Sequence, residues 1–305
     1  MQRLSASSLL VSLLSLVGAQ TAVAEGPPTV TDRQVDQVQQ APVADPNPWR
    51  FNFAAYAWLV NVGGSVTTHN RTVDINASFI DLVQKSDSLL GMMAYFEANK
   101  GGVGFYTDFV FTKLGFTAAQ TTERNPTAGL RITSASASLT YQMFIVEPGA
   151  VFELFRRRSA DGSMTALDGA VGLRYWNNSV VATFGANFDI LQSDNQQSFG
   201  IAVARADTVQ WVDPVFGLRI RHQLTPHQEV SLRGDIGGFG LGSQFTWQAL
   251  GSYAYNWQLQ SGSRIAAFVG FRALGVNYVS PSGGINAFGI NEVLYGPFVG
   301  ASYRF

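Results

Sequence analysis

The sequence predicts an all-β, antiparallel, up-and-down transmembrane barrel of about twelve strands, with ten or fourteen as the alternatives. Three observations lead there. Apolar residues recur at every second position through most of the chain, the period of a strand whose two faces meet different surroundings. Charged residues make up only 13% of the 305 residues, where a soluble domain usually carries roughly a quarter. The alternating segments run to about 11 to 15 residues, longer than the roughly 5 or 6 of a sandwich strand and suited to tilted strands that cross a bilayer.

Composition removes several function classes. There is no Cys, so disulfides, zinc-thiolate sites and cysteine nucleophiles are excluded. A formal net charge of -1 gives no overall basic signal for nucleic acid. No segment of the expected mature chain approaches the roughly 18 uninterrupted apolar residues of a membrane helix.

The first segment reads as a targeting signal, residues 1-24. Arg3 is its positive flank, Leu9 to Val17 its apolar run, and Ala22-Val23-Ala24 the small-x-small pattern that a signal peptidase reads, with cleavage expected before Glu25. Residues 25-48 are polar and Pro-rich, too poor in apolar area to offset the entropy of ordering, and read as a flexible periplasmic leader. Docking of this leader as a plug stays open. The barrel is expected over 49-305.

Alternation then repeats strand by strand. Leu90, Met92, Ala94, Phe96 and Ala98 share one face, with Tyr95 and Glu97 opposite. Across the Lys100-Gly101-Gly102 turn, Val103, Phe105, Phe109 and Phe111 face one way and Tyr106, Asp108 and Thr112 the other, so the two segments form a hairpin. Val212, Pro214, Phe216, Leu218, Ile220, His222 and Leu224 oppose Asp213, Gly217, Arg219, Arg221 and Gln223. Val230, Leu232 and Ile236 oppose Ser231, Arg233 and Asp235. Phe245, Trp247, Tyr253, Tyr255 and Trp257 share a face with aromatics near both ends, as interfacial girdles do. In the final segment Val293, Tyr295, Pro297, Val299, Ala301, Tyr303 and Phe305 share the outward parity. Tyr303 and Phe305 are the expected assembly signal, read by the barrel-assembly machinery.

The 257 residues from Trp49 to Phe305 divide among twelve strands at about 21 each, enough for spans of roughly 10 residues with uneven loops. Strand starts are expected near Trp49, Gly64, Leu89, Val103, Leu130, Leu167, Val180, Thr208, Gln228, Phe245, Ile265 and Glu292. Leu130 to Arg157 reads as one long strand or two, and Asn177-Asn178 as a turn. An even count places both chain ends in the periplasm.

Several runs carry a resemblance. Trp211-Val212-Asp213-Pro214-Val215-Phe216-Gly217-Leu218-Arg219 and Gly234-Asp235-Ile236-Gly237-Gly238-Phe239-Gly240-Leu241-Gly242-Ser243 resemble motifs of a porin-like group of bacterial outer-membrane β-barrel proteins. Phe96-Glu97-Ala98 with Asp108, Gly172-Leu173-Arg174-Tyr175-Trp176, Gly270-Phe271-Arg272 and the Tyr303-Arg304-Phe305 terminus fit the same pattern. The resemblance covers the chain after Trp49 and implies an outer-membrane location in a Gram-negative-type bacterium, with lipid and lipopolysaccharide around the barrel. It implies no catalytic residues.

Catalytic constellations are poor, and the expectation is a non-enzyme with no cofactor and no metal. Outer-membrane hydrolases need a His paired with Ser or Asp, because imidazole must take a proton near neutral pH. His69 lies at a loop edge, His222 on the lipid-facing parity and His227 in a turn. Asp189 and Asp194 read as loop acids. Gly237 to Gly242 joins two strands, without the helix N-terminus that would cradle phosphate. Arg156-Arg157-Arg158 is the densest basic run and is expected to top an outward loop, available to lipopolysaccharide phosphates or simply solvated.

By parity, Glu97, Asp108, Glu147, Glu153, Asp168, Arg174, Asp213, Arg219, Arg221, Glu229, Arg233, Asp235, Arg272 and Arg304 point into the lumen. Glu97, Asp108, Arg174, Asp213, Arg219, Arg233, Asp235 and Arg272 are the principal lining candidates, with the aromatics Tyr56, Trp58, Tyr95, Trp176 and Phe268 beside them. Confined charges must pair or stay hydrated. Hydrated, they would line a narrow, weakly selective pore for small solutes or ions. Paired, they would close a non-conducting structural or surface-interaction barrel.

Overall fold

The computed structural model describes residues 47-305 apart from 69-70, 121-123, 128-129, 193-194 and 281-287. The expected signal segment and nearly all of the leader lie outside the described residues. Within them, thirteen strands and one short helix follow in the order β1 (Arg50–Trp58), β2 (Asn61–Thr68), β3 (Arg71–Ala77), α1 (Phe79–Lys85), β4 (Ser88–Lys100), β5 (Val103–Gln120), β6 (Arg124–Thr127), β7 (Leu130–Arg158), β8 (Met164–Gln192), β9 (Asn195–Thr225), β10 (Gln228–Gly237), β11 (Phe245–Gln258), β12 (Arg264–Val279) and β13 (Phe288–Arg304).

Ten of these strands close a ring. The order is β1-β4-β5-β7-β8-β9-β10-β11-β12-β13, and β13 pairs back onto β1 with Asn52 opposite Arg304 and Trp58 opposite Phe298. Closure leaves no sheet edge around that part of the molecule, as a strand structure in lipid requires. Three further strands lie outside the ring. The hairpin β2–β3 pairs along the other half of β13, from Tyr295 opposite Asn61 to Phe288 opposite Thr68, so the expected strand near Gly64 extends the wall rather than closing it. The four-residue β6 pairs only with β7. Between the hairpin and β4, α1 starts at a capping box in which Ser78 and Asp81 bond each other's backbone N–H. Those Ser78 hydrogen bonds, aided by Lys85 at 3.4 Å, hold the Asp81 carboxyl below its ordinary value.

The strand starts expected at Leu167 and Val180 belong to one strand, β8, and Asn177-Asn178 is no turn. β7 and β8 each run 29 residues and β9 runs 31, three times the 9 to 11 or so that a tilted bilayer span needs. The reason lies in their polarity. In the half of β8 near Met164, Val171 and Leu173 face outward and are exposed while Asp168 and Arg174 are buried. Past Asn178 the pattern inverts. Val180 and Phe184 continue the inward parity of Arg174 and Trp176, whereas Thr183 and Asn187 continue the outward one. On β9 Val203 and Ile201 likewise continue the inward parity of Asp213. An outward face meets lipid along one half of the wall and water along the other, so its preferred chemistry reverses with no break in the strand.

Short connections gather at one end of the ring. Lys100 to Val103, Ser159 to Ser163, Thr225 to Gln228 and Leu259 to Ser263 all turn there, beside Phe305, whose backbone bonds that of Phe51 in both directions. Short turns mark the periplasmic side of such barrels and long extensions the outer side. Arg156-Arg157-Arg158 therefore corrects an expectation: it ends β7 beside a periplasmic turn, at the same end as Phe305, and not at an outward loop. β7 runs in the direction opposite to the expected one because the strand expected near Gly64 does not cross the ring and because β8 is one strand where two were expected.

Candidate functional site

The site is the lumen, and its walls come from alternate residues of every ring strand. Contacts between strands that are not neighbours in the ring locate it. Arg219 on β9 reaches Glu97 on β4 at 2.5 Å, and Arg233 on β10 reaches the Tyr106 hydroxyl on β5 at 3.0 Å. Only side chains crossing the interior can meet in this way.

At mid-barrel four charges close on one another. Arg174 touches Glu147 at 2.6 Å and Asp235 at 2.7 Å, and its side chain and both carboxylates are at most 1% exposed. Arg233 completes the set, pairing with Glu147 and contacting Asp235 at 3.3 Å. Two cations face two anions, so the quartet is neutral. Neighbouring side chains add hydrogen bonds: Tyr106 donates to Glu147 at 2.8 Å, Gln248 donates to Asp235 at 3.0 Å, and Arg174 donates to the Thr246 hydroxyl at 3.3 Å, while the buried Nε of Arg233 makes no hydrogen bond. The Arg233 guanidinium also lies over the Tyr106 ring, 4.7 Å from its centroid, an attraction that strengthens when desolvated.

The other lumen charges are neutralised separately. Arg272 pairs with Asp108 at 2.8 Å, Tyr56 donates to the same carboxylate at 2.7 Å, and Trp58 stacks against the guanidinium at 4.8 Å. Nearer the periplasmic end, Glu97, Arg219, Asp168, Arg221, Glu153 and Arg156 form a chain of three acids and three arginines. Arg304 pairs with Glu229 at 3.0 Å. Asp213 is different: it has no arginine partner among the described residues. Its carboxylate accepts the indole N–H of Trp176 at 3.0 Å, that of Trp211 at 3.1 Å and the backbone N–H of Ser243 at 2.6 Å.

An apolar layer fills the lumen on the outer side of these charges. Val110, Ile145, Trp176 and Leu274 each lie two residues from Asp108, Glu147, Arg174 and Arg272 on the same faces, toward the outer side, and all are buried in one cluster. Trp176, Trp211 and Tyr278 stack in sequence, with centroids 5.4 and 4.1 Å apart. Interiors packed in this way leave little room for water.

The two motif runs form one structural unit. Gly217 sits opposite Asp235, and a Cβ there would come within 2.6 Å of the Gly234 carbonyl oxygen. The turn after β10 begins at Gly238, with φ of +86°, and folds back so that Ser243 caps Asp213. Trp211, Asp213 and Arg219 from one run thus work with Asp235 and Ser243 from the other.

All eight principal lining candidates lie in the lumen, seven of them in ion pairs. Parity alone had not identified Tyr106, Gln248 and Thr246 as partners of the quartet, although each shares the polar parity of its strand. His222 bonds Thr165 at 2.9 Å and His227 bonds the Asn256 carbonyl at 2.9 Å. His69, Asp194 and the side chain of Asp189 lie outside the described residues.

On the outside, exposed Phe53, Phe105, Leu173, Phe216, Leu232, Phe271 and Val299 belt the ring. Trp49, Phe51, Phe305 and Tyr303 stack in series at its periplasmic rim. A closed antiparallel ring that is apolar outside, charged inside and girdled by aromatics is an outer-membrane β-barrel of the Gram-negative type. No protein-family model and no curated protein matches the sequence. Among solved structures, the chain is similar to the outer membrane protease OmpT from Escherichia coli (9% identity, 88% of this chain and 99% of that one, TM-score 0.38). It is also similar to Ail, the attachment invasion locus protein of Yersinia pestis (9% identity, 84% and 98%, TM-score 0.27), and to a Pseudomonas aeruginosa FadL homologue (6% identity, 84% and 89%, TM-score 0.23). At these scores the class rests on the geometry of the ring itself.

Proposed function

We propose that this outer-membrane barrel is non-conducting, a structural or surface-interaction protein closed at mid-lumen by paired charges and stacked aromatics. The observation that carries this reading is the neutral quartet of Arg174, Arg233, Glu147 and Asp235, backed by the Trp176-Trp211-Tyr278 stack. An ion crossing this layer would have to part charges of which Arg174, Glu147 and Asp235 have almost no exposure to water, and leaving a buried charge uncompensated is costly. That barrier is poorly suited to a narrow, weakly selective pore, the other use of the same residues. The extension of β7, β8 and β9 beyond the lipid belt supplies a surface for contact outside the cell. Insertion would go through the barrel-assembly machinery, with lipid and lipopolysaccharide around the wall. The reading includes no catalytic step.

Planar-bilayer recording on refolded protein tests it. The expected result is no unitary conductance above the lipid baseline. Reproducible openings of the unaltered protein whose ion preference changes with Arg233→Glu would overturn it in favour of the pore.

A further inference from the structure

Below the quartet the lumen opens to the periplasmic end as a cavity of about 500 Å³. Its lining carries eight arginines, Arg50, Arg156, Arg219, Arg221, Arg233, Arg264, Arg272 and Arg304, against five acidic side chains, Glu97, Asp108, Glu153, Asp168 and Glu229. Five of the arginines pair with those acids, and Arg233 pairs with Glu147 and Asp235 behind the floor. Arg50 and Arg264 remain. Both are exposed, and neither pairs with an acidic side chain among the described residues; Arg264 donates to the Gln258 side-chain oxygen at 3.2 Å.

These two arginines lie on the same stretch of the barrel wall, on strands either side of Arg304. Arg264, Arg304 and Asn52 are register partners across β12, β13 and β1. Arg50 lies two residues before Asn52 on the same face of β1. The floor of the cavity adds no free charge, since Arg272 there is neutralised by Asp108. Uncompensated guanidinium groups at the mouth of a low-dielectric cavity focus positive potential into it, and their planar forks match phosphate oxygens in bidentate fashion.

We infer that the periplasmic cavity binds a small soluble polyanion bearing phosphate groups, held at the mouth by Arg50 and Arg264. Binding needs no path through the barrel, so it stands or falls separately from the closed-lumen reading. Pyrophosphate is the probe, titrated calorimetrically into refolded protein in zwitterionic micelles at low ionic strength and without phosphate buffer. Saturable one-to-one binding is expected, weakened at least tenfold in Arg50→Gln/Arg264→Gln and unchanged in Arg157→Gln/Arg158→Gln, which removes two charges at the same end but outside the cavity. Heat-modifiable migration of each variant on gels establishes that it is folded. The inference is overturned if the unaltered protein shows no saturable binding, if the two double variants lose affinity equally, or if only vesicles containing phosphatidylglycerol bind at Arg50 and Arg264, since the ligand would then be a lipid headgroup.

Discussion

Arg174 on β8 and Asp235 on β10 meet at 2.7 Å although β9 stands between their strands. The contact spans a chord of the ring and shares Arg174 with Glu147. Replacing Arg174 with Met leaves two buried carboxylates to Arg233 alone, and breaking such a buried set costs about 3 to 5 kcal/mol. Adding Asp235→Leu restores neutrality and is expected to recover a large part of that loss. Urea titration of lipid-refolded protein measures both; a single variant as stable as the parent would show that water already solvates the quartet.

The assignment of faces is tested at adjacent residues of β10. Leu232 is 56% exposed on the outer belt, whereas Ser231 faces the cavity. Arginine at the bilayer midplane costs roughly 2 to 4 kcal/mol. Leu232→Arg should therefore lower refolding stability markedly and Ser231→Arg far less. Equal tolerance of the two would mean that β10 is turned the other way.

Asp213 joins the aromatic stack to the turn after β10. Asp213→Leu leaves two indole N–H groups and one backbone N–H without their acceptor, at about 1 to 3 kcal/mol for each buried donor left unpaired. The expected signature is spectroscopic as well: the near-UV circular dichroism of the Trp176-Trp211 pair should collapse before global unfolding. An unchanged spectrum would assign the stack's order to packing alone.

Removing Phe305 tests assembly. Its ring stacks on Phe51 and Tyr303, and its backbone closes β1 against the end of β13. Membrane fractions of the truncated chain should lose the heat-modifiable band. Normal insertion would count against Phe305 as part of the assembly signal.

Much of this architecture is legible in a period of two. Alternation alone separates Leu232 from Arg233 and Phe216 from Arg219, because every residue of a membrane strand must suit either lipid or lumen. The same rule misreads β8, where the apolar face changes sides at Asn178. A local window sees this inversion as two strands and a turn, and that error, with the strand expected near Gly64, carries Arg156-Arg157-Arg158 to the wrong end of the barrel.

The sequence by itself determined that the chain forms an antiparallel barrel wall, and where most of the charges at mid-lumen face, though not Arg50, Arg156 and Arg264 at the cavity mouth, since both follow from the local contrast between lipid and polar surroundings. Only the tertiary structure decided that ten strands close the ring, that β2 and β3 lie outside it, and that Arg174 meets Asp235 across a chord. Ring size and cross-lumen partners depend on the stagger between strands far apart in sequence, which no local alternation encodes. Whether a charge stands in water or in a pair is settled by that stagger. It buries Arg174, Glu147 and Asp235 away from water, sets Arg233 at the cavity floor, and leaves Arg50 and Arg264 with no acidic side-chain partner among the described residues.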